Sequence, residues 1–464
     1  MNQLKKSLNK IFFVGIGGSG MSGLAEVLLN LGYEVLGSDT TESSITERLQ
    51  SLGIEILFDH KPENIKGVDM LVKSTAIKDK NPELVSAMKQ NIPILERAEL
   101  LSSLMIMKRG IAIAGTHGKT TTTSLLASIM TEAMLDPTFI NGGVITSFAT
   151  NAKLGTGDYL IAEADESDKS FLKLQPSLEI ITNIDSDHLL NYENNFQNLE
   201  QAFIDFVKKL PFDGLLVACG DDPVIRKLAS AFSRRTILYG FERENDYRIE
   251  NYKNEGFSSE FSLVNDENQI LDFKLNIPGR HNALNAAAAV IVSLEENISS
   301  INIQSALSKF SGINRRMEFL GKMDSTLVVD DYGHHPNEIR NTIETLRESF
   351  RDKEITMVFQ PHRYSRTIDL YDDFVEVLSL VDQLLLLDIY PAGEKAIKDI
   401  SSAKLLESIK KSGFSKARLC NSSLEALEVI RSDNFGHGGV LLIQGAGNIS
   451  EISEELSSII KKNE

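Results

Sequence analysis

Lys119 and Thr120 stand directly behind the turn Gly115-Thr116-His117-Gly118, and that arrangement of types does recognisable chemistry. The apolar run Ile111 to Ala114 precedes the turn, and a helix-like stretch from Ser124 to Met130 follows it. A strand, a glycine turn and a helix N-terminus in that order aim backbone N–H groups and the helix dipole at an anion, while a lysine reaches the outer phosphates. The Thr120 hydroxyl would sit on Mg²⁺. Two residues separate the glycines where the general phosphate-loop pattern has four, and a Thr-rich helix cap is the competing reading. The stretch is read as an ATP site over Gly115, Thr116, His117, Gly118, Lys119, Thr120 and Thr121.

Other reactive groups gather in a few stretches. Four carboxylates, Glu163, Asp165, Glu166 and Asp168, fall within six residues behind a strand-like run; a solvated acidic turn suits the last three. Glu163, at the strand's end, would face the phosphate loop. His188 follows Asp185 and Asp187 at another strand tip, and with Glu163 it suggests a second position for a hard cation. Asn282 and Asn285 share one face of an Ala-rich helix and suit a purine edge, or else simply cap and pack that helix. Further tips carry Asp330 to Pro336 and Gln360 to Thr367. Six of the eight histidines (117, 188, 281, 334, 335 and 362) lie in these stretches, which uncommitted histidines would not favour.

The elements that must hold these groups alternate between strand and helix. Lys10 to Val14 reads as a buried strand, Met21 to Leu31 as a helix and Tyr33 to Gly37 as a second strand. Between the first two lies Gly15-Ile16-Gly17-Gly18-Ser19-Gly20, with Asp39 about 20 residues on, the fingerprint of a dinucleotide turn. It indicates a phosphate-bearing ligand or tight strand–helix packing. Ser74 and Thr75 follow another strand, where open α/β sheets bind ligands. The region 242–268 is polar and reads as a surface hairpin, and Ser311 to Asn314 as a linker.

Bulk properties narrow the function. At 464 residues several domains are expected. The 42% apolar and 24% charged fractions are those of a globular protein, and no apolar run is long enough to span a bilayer. Two distant cysteines, Cys219 and Cys420, and an N-terminus leading straight into a strand suit a cytoplasmic location without membrane insertion. A net charge of −17 argues against nucleic acid as a partner but not against anionic small molecules.

Taken together, the stretches 15–23, 115–123, 163–168, 278–282, 330–336 and 360–367 resemble those of the Mur ligase family, in the family's order and across nearly the whole chain. The shortened phosphate loop is the form this family carries. One departure is Leu190, where the family commonly has Asp in Asp-His-x-Asp. The resemblance implies an α/β fold of three domains: N-terminal Rossmann-like over 1–107 for a UDP-sugar, central P-loop ATPase-type with a mostly parallel sheet over 108–312, and C-terminal Rossmann-like over 313–464 for the amino acid, closing over ATP. It implies that ATP and Mg²⁺ drive ligation of L-alanine to the lactyl carboxylate of UDP-N-acetylmuramate through an acyl phosphate, in a monomer or homodimer. The first loop (Gly15, Gly17, Gly18, Ser19, Gly20), Asp39, Ser74 and Thr75 would then hold the UDP-sugar. Thr120, Glu163 and His188 would hold Mg²⁺, and Lys119 the β/γ-phosphates. Asn282, Asn285, Arg316 and Asp330 would take the rest of the nucleotide. Arg363, Arg366 and one of the adjacent histidines, taken as His335, would place the amino acid. The alternatives are a ligase attaching a recycled peptide to the same sugar and, in a different class, an NAD-dependent oxidoreductase or a catalytically silent nucleotide binder.

Overall fold

The computed structural model describes residues 8–187, 189–432 and 438–463. They divide into two compact units. One takes in the described residues up to Asn251 together with Ser262–Phe273 and Leu284–Phe310; the other comprises Tyr252–Phe261, Lys274–Ala283 and the described residues from Ser311 on.

The first sheet forms from short apolar runs, each ended by a turn. Its strands are β1 Lys10–Val14, β2 Glu34–Ser38, β3 Glu55–Leu57, β4 Met70–Lys73 and β5 Ile94–Glu96, all parallel in the order β3-β2-β1-β4-β5. Phe12, Val14, Leu71 and Leu84 form a core on one face, and each such fully buried side chain contributes about 1.5–3 kcal/mol. The order reverses between β1 and β4. That switch point opens a crevice at the strands' carboxyl ends, where the Gly15 turn and Ser74 lie: a methyl on Gly15 would stand 3.3 Å from the Ser74 β-carbon.

The second sheet contains β6 Arg109–Ala114, β7 Thr138–Ile145, β8 Thr150–Lys153, β9 Tyr159–Glu163, β10 Leu178–Ile181, β11 Leu215–Cys219 and β12 Arg235–Gly240. Strand β6 lies between β10 and β9 and pairs parallel with both. Carboxyl ends of three neighbouring strands therefore meet beside the phosphate loop. Hairpin strands β13 Tyr247–Glu255, β14 Ser258–Asn265 and β15 Ile270–Leu275 extend the sheet, and their residues divide between the units.

In the second unit the sheet is β16 Glu318–Met323, β17 Thr326–Asp331, β18 Ile355–Phe359, β19 Gln383–Leu387, β20 Ala417–Cys420 and β21 Val440–Gln444, ordered β16-β17-β21-β18-β19-β20. Only β16 runs antiparallel. Alternate residues of these strands feed two cores, one per face: Val329, Met357 and Leu386 on one, Val328, Val358 and Leu387 on the other. Among the described residues no helix is long and apolar enough to cross a membrane. The expected strand at 10–14 is observed with those bounds, and the one expected at 33–37 lies one residue later, at Glu34–Ser38.

Candidate active site

The phosphate loop is shaped by its two glycines. Gly115 has φ +127° and Gly118 has φ +83°, backbone that favours glycine. A methyl at Gly115 would also stand 2.2 Å from Thr182 Oγ1, and one at Gly118 2.4 Å from Asn285 Oδ1. Neighbouring strand ends clamp the turn. Asn183 Oδ1 accepts from the His117 N–H at 2.8 Å, Thr182 Oγ1 donates to the His117 carbonyl at 2.6 Å, and the Asp185 N–H donates to Thr116 Oγ1 at 2.9 Å. The His117 ring lies 3.3 Å from Asp185 Oδ2.

Behind the turn the helix Lys119–Glu132 begins with Gly118 as a cap that has no side chain to offer, and with no acid in its first turn. Its first N–H groups are arranged to favour an anion. Lys119 Nζ donates to the carbonyls of Gly115 and Thr116 and to Glu166 Oε1 and Oε2 at 3.0 and 2.9 Å. Burial works against the lysine's charge, but Glu166 and Asp165 outweigh it and hold its pKa above the ordinary value. Lys119 is thus kept a cation at the mouth of the loop. Glu166, only 5% exposed, pairs with Lys119 and is not in the solvated turn that the sequence suggests for it.

Glu163 ends β9 in register with Ile113 of β6. Its Oε1 accepts from the Gly142 N–H at 2.6 Å, and its charge is felt at Lys119. Thr120 and Thr121 are the second and third helical residues, and Thr122 Oγ1 donates to Asn285 Oδ1 at 3.3 Å. Asn285 therefore stands against the loop. His188 lies outside the described residues.

At the first glycine loop, the Gly15 and Ile16 N–H groups donate to the Ser38 carbonyl at 2.8 and 3.0 Å. Asp39 Oδ2 accepts from the Gly17 N–H at 2.8 Å, and its Oδ1 accepts from Thr40 and Thr41. Asp39 thus fixes the loop's own backbone. Gly18 caps the helix Ser19–Asn30, where Gly20 lies, and like Gly118 it has no side chain to offer the first turn. Ser74 is half-buried and Thr75 exposed behind β4.

In the second unit, Asn282 is buried and its Nδ2 donates to the Pro278 carbonyl at 2.6 Å. Asp330 and Asp331 end β17. Burial pushes the Asp330 carboxyl up to about 6 against the pull of Arg315, whose Nε lies 3.2 Å from Oδ2. Arg315 and Arg316 both lie over the Tyr332 ring, and Arg316 Nη1 is 3.8 Å from Glu338. His335 caps the helix Pro336–Ser349, its Nδ1 accepting from the Asn337 N–H at 3.4 Å. Next to it, burial foremost pushes the His334 imidazole down to about 4, against the opposing pull of Glu338. The His362 ring, 5.4 Å from that of His334, is pushed to about 4 in the same way. Arg366 Nη1 lies 3.3 Å from His362 Nδ1. Arg363 has φ +72°, a strained backbone that costs a non-glycine residue about 1–3 kcal/mol.

Three domain profiles match in succession: the Mur ligase family catalytic domain over residues 10–109, the Mur ligase middle domain over 113–293 and the Mur ligase glutamate ligase domain over 315–447. Among solved structures, a UDP-N-acetylmuramate-alanine ligase, MurC, from Thermotoga maritima is 29% identical. It superimposes with a TM-score of 0.84, over 98% of this chain and 100% of that one. A murein peptide ligase from Psychrobacter arcticus is 24% identical with a TM-score of 0.71, over 97% and 98%. A MurF ligase from Thermotoga maritima in complex with ADP is 15% identical with a TM-score of 0.62, over 93% and 96%. Consecutive matches along nearly the whole length, on sheets that gather strand ends at two glycine loops, settle the ancestry: the chain belongs to the Mur ligase family of ATP-dependent amide-bond-forming ligases.

Proposed function

We propose that this protein joins L-alanine to the lactyl carboxylate of UDP-N-acetylmuramate, yielding UDP-N-acetylmuramoyl-L-alanine, ADP and phosphate. The observation that carries the reading is the phosphate loop with Lys119 held at its mouth by Glu166 and the loop carbonyls. The likeness to an alanine ligase over 98% of the chain supports the choice of substrates.

A carboxylate is a poor electrophile, so it must be activated before an amine can attack. The lactyl carboxylate oxygen attacks the γ-phosphorus of ATP, and ADP departs, leaving an acyl phosphate. The alanine nitrogen, having lost a proton, then attacks the acyl carbon, and phosphate leaves. Because the reacting groups are anions, the protein supplies alignment and positive charge. Lys119 and the loop amides of Gly115 to Thr121 take the phosphates. Asn282 and Asn285 take the adenine, with Arg316 and Asp330 on the remainder of the nucleotide.

Mg²⁺ fits the donor chemistry: the Thr120 hydroxyl and the Glu163 carboxylate are hard oxygen donors that would hold one ion, and Glu163 with His188 would hold a second. When bound, the ion neutralises phosphate charge. The first loop, with Asp39, Ser74 and Thr75, takes the UDP-sugar. Arg363 and Arg366 suit the alanine carboxylate by their forked donors. A neutral imidazole, His335 or its neighbour His334, accepts the ammonium proton. In this reading the segments 1–107, 108–312 and 313–464 serve the UDP-sugar, ATP and the amino acid respectively.

The test is phosphate release from ATP with Mg²⁺, omitting the UDP-sugar and the amino acid in turn. Release that needs both, and that L-alanine supports far better than a tripeptide, is the expected result. Preference for the tripeptide would replace the reading with peptide attachment, and release indifferent to the sugar would end it.

A further inference from the structure

Between the two glycine loops of the first unit lies a charged bridge to which the proposed reaction gives no part. Arg97 opens the helix Arg97–Ile106, and its side chain is 15% exposed. A methyl on Gly20 would stand 2.9 Å from Arg97 Nη1, so the guanidinium lies against the first turn of the helix Ser19–Asn30. From its other edge Arg97 Nη2 donates to Ser170 Oγ at 3.3 Å and stands 3.7 Å from Asp165 Oδ2. Asp165 is the residue before Glu166, and its charge acts on Lys119 as that of Glu166 does. Ser167 fixes the Asp165 carboxylate, its N–H and Oγ donating to Oδ1 at 3.0 and 2.7 Å. Charges therefore alternate along one path: an anion-favouring helix terminus, the Arg97 cation, the Asp165 anion and the Lys119 cation.

We propose that Arg97 is a positioning residue shared by two anion sites. It supplies counter-charge at the first glycine loop and, by neutralising Asp165, leaves the Lys119 charge available to phosphates at the second. The inference rests on the reading that a UDP-sugar occupies the first loop and ATP the second. A guanidinium suits the role because its rigid fork can face two acceptors at once, which an ammonium does less well. Without Arg97 the first loop loses a cation, while Asp165 turns wholly toward Lys119 and makes the second loop more negative. Without the Asp165 charge, Arg97 and Lys119 are both released toward their ligands. Coupling of this kind is reciprocal between the sites.

The experiment uses UDP and ADP as separate probes, without added Mg²⁺, on the full chain and on Arg97→Ala, Arg97→Lys, Asp165→Asn and the Arg97→Ala/Asp165→Asn pair. Arg97→Ala is expected to weaken UDP binding about tenfold or more, the scale of a lost charge-assisted contact, and to weaken ADP binding to a lesser degree. Asp165→Asn is expected to tighten both, whereas a merely structural role for the turn would loosen them. In the double variant ADP affinity returns and UDP affinity does not. Arg97→Lys falls between wild type and Arg97→Ala, and with Asp165→Asn it carries the test if Arg97→Ala does not fold. Unchanged ADP affinity in Arg97→Ala, no recovery in the double variant, or weaker UDP binding by Asp165→Asn would each overturn the bridge. A wild-type chain that binds neither probe overturns the functional reading and the inference with it; one that binds both while the variants misbehave overturns the inference alone.

Discussion

Lys119 and Glu166 are bound to each other's fate. Both are largely shielded from water, so deleting either strands the opposite charge, a loss of about 3–5 kcal/mol for a buried pair. Asp165 and Glu163 also act on Lys119, so Glu166→Gln should cost less than that figure while letting the ammonium drift from the Gly115 and Thr116 carbonyls. The double variant Lys119→Met/Glu166→Gln removes both charges and should keep its unfolding temperature close to wild type. Its ligation rate should nonetheless fall about 10²-fold or more, since charge at the transferring phosphoryl group is lost. A rate within tenfold of wild type, measured as phosphate release, would remove Lys119 from the chemistry. The sequence displayed Lys119, because glycines, lysine and threonine recur at fixed offsets behind an apolar run. Glu166 stayed hidden among four carboxylates of equal appearance; only the backbone's path after β9 turns one of them under the lysine. Asp39 shows the converse. It was legible by its distance from the glycines, yet three of its hydrogen bonds go to main-chain N–H groups, a use that spacing does not reveal.

Strand β10 carries an anomaly at the scale of the element. It lies between β6 and β11, and its Glu179 is fully buried, with neither carboxyl oxygen hydrogen-bonded among the described residues. Burial pushes its pKa well above the ordinary value, with only Arg234 opposing. A folded-state pKa above the unfolded one gives stability that is complete below the unfolded value, near 4.5, and is lost as pH rises toward the folded value. Glu179→Met should therefore raise the unfolding temperature. The gain corresponds to about 1–3 kcal/mol for relieving an unpaired buried polar group, and it should widen from pH 5 to pH 8. A gain that shrinks with rising pH would show that Glu179 is ionised and paired in the fold. The strand ahead of Asp185 was legible because a single carboxyl does not break so short an apolar pattern. The hairpin at 242–268 was legible as a polar excursion but not as part of two units. That division turns on Phe257 near its tip, whose ring lies 4.3 Å from Phe319 and 4.9 Å from Phe350, a long-range contact that local polarity conceals.

For the whole molecule, the net charge of −17 and the anionic ligands pull in opposite directions. Composition leaves room for small anions because a field acts over a distance that salt sets. At about 10 mM ionic strength the Debye length is about 30 Å, so the global negative charge opposes an approaching nucleotide. At about 150 mM it is about 8 Å, and only the cations beside each loop are felt: Arg97 at the first and Lys119 at the second. Lys119 follows its loop directly, whereas Arg97 is far in sequence from the first loop and is seen beside Gly20 only in the fold. The association rate of metal-free ADP should accordingly rise as salt increases from about 10 to 150 mM, the reverse of the fall expected for a protein that steers anions by its overall field. Stopped-flow binding at several NaCl concentrations measures this directly. A rate that falls throughout would mean that the local cations project far beyond their loops, and that the acidic surface faces away from the nucleotide's approach.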